Sequence, residues 1–410
     1  MTARSLDARA PLTRAARFAI AALALITPRT AGADEPRSPT GWPFVVESIA
    51  ARFAHFDQDG AGFQSRAGPP GGPGSERLRV EQPQLEVIAK QGDKLTHRLW
   101  VPVDVVTAAS PDAIDAVTTA SKVNEAAGVD WTATYAVDRT HSVSVRNGFH
   151  AEEPFRSWNV GLAGSLSLAD DNATLSATLD QTFDWFERSE LDGELDGGEG
   201  RSTTDLDVGL TQLLSSTTVA HLDYDVSLQR GELGNTWSTV PLAVSAVPGA
   251  PTSPALVPEL LPRRRWRHAI SGRIAQWLPW NGAAQVAYRL YLDDWGVTAH
   301  TLELELHQRL SRFSRVLFRY RAHAQDGAAF FMVRAPAGRS PRTADSDLGT
   351  LSAGSIGVRG LFELPDAVLP RVRFDLGVER YVRSNEAHVG DHPSRDLTVT
   401  VYSCGVALRL

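Results

Sequence analysis

The chain has 410 residues, with 41 Lys and Arg against 48 Asp and Glu, a formal net charge of −7 and a single cysteine. That acidic balance argues against nucleic acid as a partner. One thiol, Cys404, can form neither an internal disulfide nor a zinc or iron–sulfur site of several thiolates.

Residues 1–33 read as a secretory leader. Arg4, Arg9, Arg14 and Arg17 precede the apolar run from Phe18 to Ile26, and Ala31-Gly32-Ala33 supplies a small-residue cleavage site before Asp34. The alternative is a buried helix. Removing the leader takes five Arg and one Asp and moves the net charge from −7 to −11. No cysteine follows the site, which argues against a lipidated N-terminus. Residues 34–43 form an N-terminal extension, and no later apolar run approaches the ~20 residues of a spanning helix.

From residue 44 onward the dominant pattern is alternation with period two, the signature of strands. It predicts strands over 44–57, 77–89, 94–106, 126–137, 139–150, 156–168, 171–187 and 202–215. Eight more follow over 217–230, 264–279, 282–296, 298–311, 313–325, 348–362, 370–384 and 396–410. Several exceed the ~9–11 residues that cross a bilayer at a tilt.

The connections sort by parity. Those after even-numbered strands are short, such as QGDK, VD, ADDN, SS, PWN and a turn at Arg312, with PDAVL slightly longer. Most of those after odd-numbered strands are long, the fifth and eleventh being modest. Outer-membrane barrels alternate short turns with long loops in this way and carry even strand numbers. The expected fold is therefore all-β, a closed antiparallel transmembrane β-barrel of about sixteen strands over 44–410. A soluble sandwich or propeller is the competing reading. It would need a second layer to cover the apolar faces, and no helical pattern supplies one.

With lipid outside, the polar face of each strand looks into the lumen. Glu303, Glu305 and His307 then oppose Arg315, Arg319 and Arg321 across a turn, as a charge ladder on the lumen wall. A purely structural set of ion pairs explains the same residues. Trp158, Trp185, Trp266, Trp277, Trp280 and Trp295 fall near strand ends, where amphipathic rings favour the headgroup zone, although ordinary packing explains each ring taken singly.

Two acidic, Gly-rich stretches, His55 to Phe63 and Leu191 to Gly200, read as outer loops. Asp57, Asp59, Asp192 and Asp196 could offer oxygens to Ca²⁺, but neither stretch has the full calcium-loop spacing and turn formation explains both. No nucleophile elbow, zincin motif or P-loop is present, so the chain reads as a non-enzyme without cofactor or metal. The C-terminal strand alternates to the last residue. Ser403, Gly405, Leu408 and Leu410 resemble the C-terminal signal read by the barrel-assembly machinery, with Leu410 where most clients end in an aromatic ring.

VDVVTAASPD carries Asp104, Ser110 and Pro111, and YRLYLDDWGVTAHTLELELHQRL carries Asp293, Asp294 and Trp295. Together with RNGFHAEEPFRSWNVG and FRYRAHAQDGAAFF, these segments resemble a family of bacterial outer-membrane barrels catalogued as a domain of unknown function. The resemblance implies a barrel and assigns no activity. It also implies a periplasmic or lipoprotein partner in an envelope redox system, because genes of the family lie near genes for small lipoproteins and periplasmic redox proteins. The functional expectation is an outer-membrane barrel acting as a passive channel for small solutes. The alternative is a structural barrel that scaffolds a partner, its lumen blocked by residues 231–262. A soluble secreted β-protein is the third class.

Overall fold

The computed structural model describes residues 44–62, 74–75, 77–108, 123–152, 155–189, 195–234, 239–241, 256–332, 335–336, 338, 340–365, 372–385 and 397–410. The leader and the 34–43 extension lie outside the described residues, as do Ser110 and Pro111.

Sixteen long strands form the wall. They are β1 (Phe44–Gly62), β2 (Leu78–Gln91), β3 (Leu95–Ala108), β4 (Val123–Ala136), β5 (His141–Glu152), β6 (Phe155–Leu168), β7 (Ala173–Ser189) and β8 (Leu195–Ser215). The second half comprises β9 (Thr218–Gly231), β10 (Arg264–Leu278), β11 (Gly282–Asp293), β12 (Thr298–Arg309), β13 (Ser314–Gln325), β14 (Leu351–Glu363), β15 (Val372–Asn385) and β16 (Leu397–Arg409). Each pairs antiparallel with the next in sequence. β1 pairs with β16 from Ser48↔Arg409 to Gly60↔Leu397, which closes the cylinder. Closure leaves no strand edge unpaired, as a backbone in hydrocarbon requires. The chain end is pinned by the same ladder, and the Leu410 amide donates to the Glu47 carbonyl at 2.8 Å.

Alternation places the apolar set outside. Leu302, Leu304, Leu306, Phe318, Ile356, Val358, Phe374, Leu376 and Val378 are all exposed on one face. Among the described residues no second layer covers Leu302 or Phe374, which are 38% and 40% exposed. Leu408 shares that face but is half-buried between its cross-strand neighbours Ile49 and Val372, both buried. Cys404 is exposed on the same outer face.

Turn chemistry explains the short end. Between β6 and β7, Ala169, Asp170 and Asp171 all have positive φ, and Asn281 at φ 62° turns the chain between β10 and β11. Asn and Asp accept that conformation more readily than most residues. Pro83 and Pro102 mark the gap in the β2–β3 ladder, which runs from Glu81↔Val105 directly to Gln84↔Pro102. A residue without an N–H cannot supply a rung there.

Two expected loops prove to be strand. Residues 55–62 continue β1, with Asp57 3.6 Å from Arg79 on β2 and Asp59 accepting the Gly60 amide at 3.0 Å. Residues 195–200 belong to β8, so the seventh connection shrinks to 190–194 and the β7–β8 hairpin extends through a bulge at Glu187/Arg188. Asp and Gly composition read as loop there, but backbone pairing with a neighbouring strand overrides it. Asp192 lies outside the described residues.

One short turn carries a pH prediction. The Asp138 carboxyl is held well below the usual carboxylate range, first by the His141 ring, then by the Thr140 and His141 amides and the Thr140 hydroxyl. Its folded pKa is depressed. Its contribution is therefore full above the ordinary value near ~3.9 and is lost as pH falls toward the folded value. In an NMR titration of the folded barrel, Asp138 stays ionised at pH ~3.9; a midpoint at that pH would refute the arrangement.

Candidate functional site

The inner wall carries charge from end to end, and the register shows how it is arranged. Across β12 and β13, Glu303 faces Arg321 and Glu305 faces Arg319. His307 faces Leu317, and Arg315 faces Arg309, so Arg315 does not complete the expected ladder. The turn between these strands occupies residues 310–313 rather than Arg312 alone. Arg315 instead reaches Glu363 on β14 at 3.6 Å, and His307 meets Glu305 of its own strand at 3.0 Å. Arg319 is the hub: it donates to Glu303 at 2.6 Å and lies 3.9 Å from Glu305 and 3.7 Å from Glu379 on β15. Asp375 and Arg359 continue the band between β14 and β15, with Nε donating at 2.9 Å. Gly405 of β16 makes room for that pair, because a Cβ there would collide with the Asp375 carboxylate.

Above the band, toward the long loops, lies an internal cavity of about 750 Å³. Its lining runs from Glu152 and Phe155 on one side of the cylinder to Arg321 and His323 on the other, so these side chains share the lumen. Arg201, Arg265, Arg267 and Arg289 complete its basic lining. Sequence reasoning found only Arg321 of these five arginines. The missed four all sit at alternate, non-lipid positions of β8, β10 and β11, which is the signal that could have found them.

The loop after β9 and the loop after β13 close over this cavity together. Leu260 and Arg342 exchange backbone hydrogen bonds at 3.0 and 2.8 Å. Leu261, Trp295, Val297, Ala328 and Leu348 form one apolar cluster, and Val240, Ala335 and Ala344 form another.

The Asp-Asp-Trp-Gly turn between β11 and β12 anchors that rim. The Asp293 side chain is fully buried. Its Oδ1 accepts the amides of Trp295 at 3.0 Å and Val297 at 2.9 Å. Its Oδ2 accepts Arg265 Nε at 2.8 Å and the Tyr291 hydroxyl at 3.0 Å. Asp294 Oδ1 accepts the Trp266 amide at 2.9 Å, and Gly296 turns the chain at φ 91°. Trp295 is 5% exposed, so it is not an interfacial ring as its position near a strand end had implied. Its indole N–H donates to the Arg264 carbonyl at 3.0 Å, and the Arg265 guanidinium stacks 4.3 Å above its ring. Trp158, Trp185, Trp277 and Trp280 are exposed, and Trp266 is half-buried.

Asp104 lies in β3, paired with Ala126. In β16, Ser403 and Gly405 take the lumen-facing positions, Leu408 the outer face, and Leu410 is exposed at the chain end. Among the described residues no group of three or more His, Cys, Asp or Glu is arranged to hold a metal ion.

A closed cylinder of sixteen antiparallel strands, apolar outside and charged inside, defines a transmembrane β-barrel of the outer-membrane class. The family model described as Protein of unknown function (DUF3570) matches residues 125–404, and the chain belongs to that family. No curated protein matches the sequence. Among solved structures, the chain is similar to a bacterial polysaccharide outer membrane secretin at 8% identity and a TM-score of 0.46, covering 88% of this chain and 98% of that one. It is similar to a FadL homologue from Pseudomonas aeruginosa at 10% identity and a TM-score of 0.41, covering 89% and 90%. It is also similar to the siderophore receptor PirA from Pseudomonas aeruginosa at 8% identity and a TM-score of 0.43, with 86% of this chain covered but only 61% of the receptor's length.

Proposed function

We propose that this chain resides in the outer membrane of a Gram-negative bacterium, after export to the periplasm and insertion by the barrel-assembly machinery. There it acts as a passive channel for small solutes, without catalysis. The observation that carries this reading is the contrast between the two faces of the wall. Leucine and phenylalanine meet lipid, while Arg319, Glu303, Glu305 and Glu379 form a solvated charge band inside. Barrels of ~16–18 strands enclose a water-filled lumen unless they are plugged, and charged rings in such a lumen set ion preference.

Folded, detergent-purified chain is expected to give discrete conductance steps in planar bilayers. Arg319→Gln removes the one cation among three carboxylates, so its cation-to-anion permeability ratio rises. No conductance, with the long loops intact and with them shortened, would remove the channel reading and leave the barrel standing.

The apolar clusters of the two loops favour a second reading, a scaffold for a periplasmic or lipoprotein partner in an envelope redox system, with the lumen occluded above the charge band. A stable partner that co-purifies with a non-conducting barrel would support it.

A further inference from the structure

The cavity above the charge band is lined by five arginines, and they differ in how they are paired. Three of its five arginines are committed: Arg201 to Asp184 at 2.5 Å, Arg265 to Asp293, and Arg289 to Asp225 at 3.5 Å. The other two, Arg267 and Arg321, form no ion pair with a described residue. The reason is visible in the register. Glu303 is the cross-strand partner of Arg321, but its carboxylate is taken by Arg319 at 2.6 Å. Asp293 is the cross-strand partner of Arg267, but its carboxylate is filled by Arg265, Tyr291 and two amides. Arg267 donates one Nη2 hydrogen bond to Gln229, and its buried Nε has no hydrogen-bond partner among the described residues.

Of the four carboxylates that line the cavity, Glu152 ends β5 and the other three belong to the loops. Glu259 accepts the Thr343 hydroxyl, Asp347 pairs with Arg383, and Asp345 accepts the Asp347 amide at 3.0 Å. On the wall between the levels of Arg267 and Arg321 stand Tyr291 and Arg289 of β11 and the small Ala299 and Thr301 of β12, and Trp295, Leu261 and Leu348 close the space from the loop side. A cavity of about 750 Å³ falls within the range of pockets that enclose a small molecule. Guanidinium donors without a carboxylate at ion-pair distance are matched by the oxygens of a carboxylate or phosphate, which they bind in fork geometry.

We propose that this cavity is a binding site for a small organic anion, a carboxylate or phosphate compound, held by Arg267 and Arg321 on its way through the lumen. The assignment of the site rests on the cavity alone; its place in a transport path rests on the channel reading above.

Calorimetric titration of the folded full-length barrel in detergent tests it, with succinate and inorganic phosphate as anionic probes and choline as the cationic one. Saturable binding of succinate, phosphate or both, with choline silent, is expected, and which anion binds tells carboxylate from phosphate chemistry. In the double variant Arg267→Gln/Arg321→Gln, affinity should fall at least about tenfold, since hydrogen bonds to charged groups are the strong ones. Arg98→Gln, on the wall outside the cavity, should leave affinity unchanged. If the double variant does not reach the folded, heat-modifiable form, Arg321→Gln alone serves, because that side chain is exposed in the lumen. Choline binding as tightly as the anions, no anion binding at all, or undiminished binding in the variants would overturn the site. None of these outcomes depends on conductance, so a failed channel and a failed site are told apart.

Discussion

Asp293→Ala is expected to destabilise the folded barrel by about 3–5 kcal/mol, the range found when one partner of a buried ion pair is removed. The cost has a specific source. Asp293 is fully buried, its partner Arg265 is 10% exposed at the side chain, and alanine would strand that guanidinium without a counter-charge. The same change orphans the amides of Trp295 and Val297, which hold the β11–β12 turn. Asp293→Asn keeps an acceptor for those amides and loses only the charge, so it should fall between wild type and alanine. Urea unfolding in micelles, followed by the shift in gel mobility, measures both. Equal stability of Asp293→Ala and wild type would show that the Asp-Asp-Trp-Gly turn is not an anchor of the rim.

Leu304→Arg is the second large effect, about 2–4 kcal/mol of destabilisation, as for a charge placed on the lipid face of an outer-membrane barrel near the midplane. Leu304 is 39% exposed and lies between Val286 and Tyr320, on the face opposite to its chain neighbours Glu303 and Glu305. The matched control is Gln285→Arg. Gln285 sits one residue along on the opposite face, where its amide reaches Glu305 at 3.4 Å, so an arginine there gains a carboxylate and should change stability by ~0.5 kcal/mol or less. If both substitutions cost the same, Leu304 does not face hydrocarbon and the inside–outside assignment fails.

Much of the wall was legible because its signal is local. In β12, three leucines at every second position mark one face, and no longer-range information is needed to read them. The end of β1 was harder. HFDQDGAGF has the composition of a loop, and only pairing of Asp57 with Arg79 and Thr400 makes it strand. Trp295, for which packing and the headgroup zone were both open, met a related limit. A ring near a strand end has no sequence mark telling lipid from lumen once the turn begins, and the buried Asp293 carboxylate is what draws it inward.

The ladder shows the limit of matching whole faces. A hairpin centred on Arg312 brings Arg319 and Arg321 opposite Glu305 and Glu303, as observed, but the same count sets Arg315 against Arg309 and His307 against Leu317. Shared parity puts side chains on one face of the sheet; which of them meet depends on their distance from the turn.

By itself, the sequence determined that sixteen strands would alternate apolar and polar side chains, and hence that they would form a cylinder with grease outside, because side-chain direction follows from two-residue periodicity along one strand. The cavity was decided by tertiary structure alone. Arg201, Arg267 and Arg321 come from three strands far apart in the chain, and they surround one space only because β1 closes on β16 and two loops fold over the opening. Which arginines keep a carboxylate and which face the cavity without one depends on competition among neighbours across strands, and that competition exists only in the closed wall.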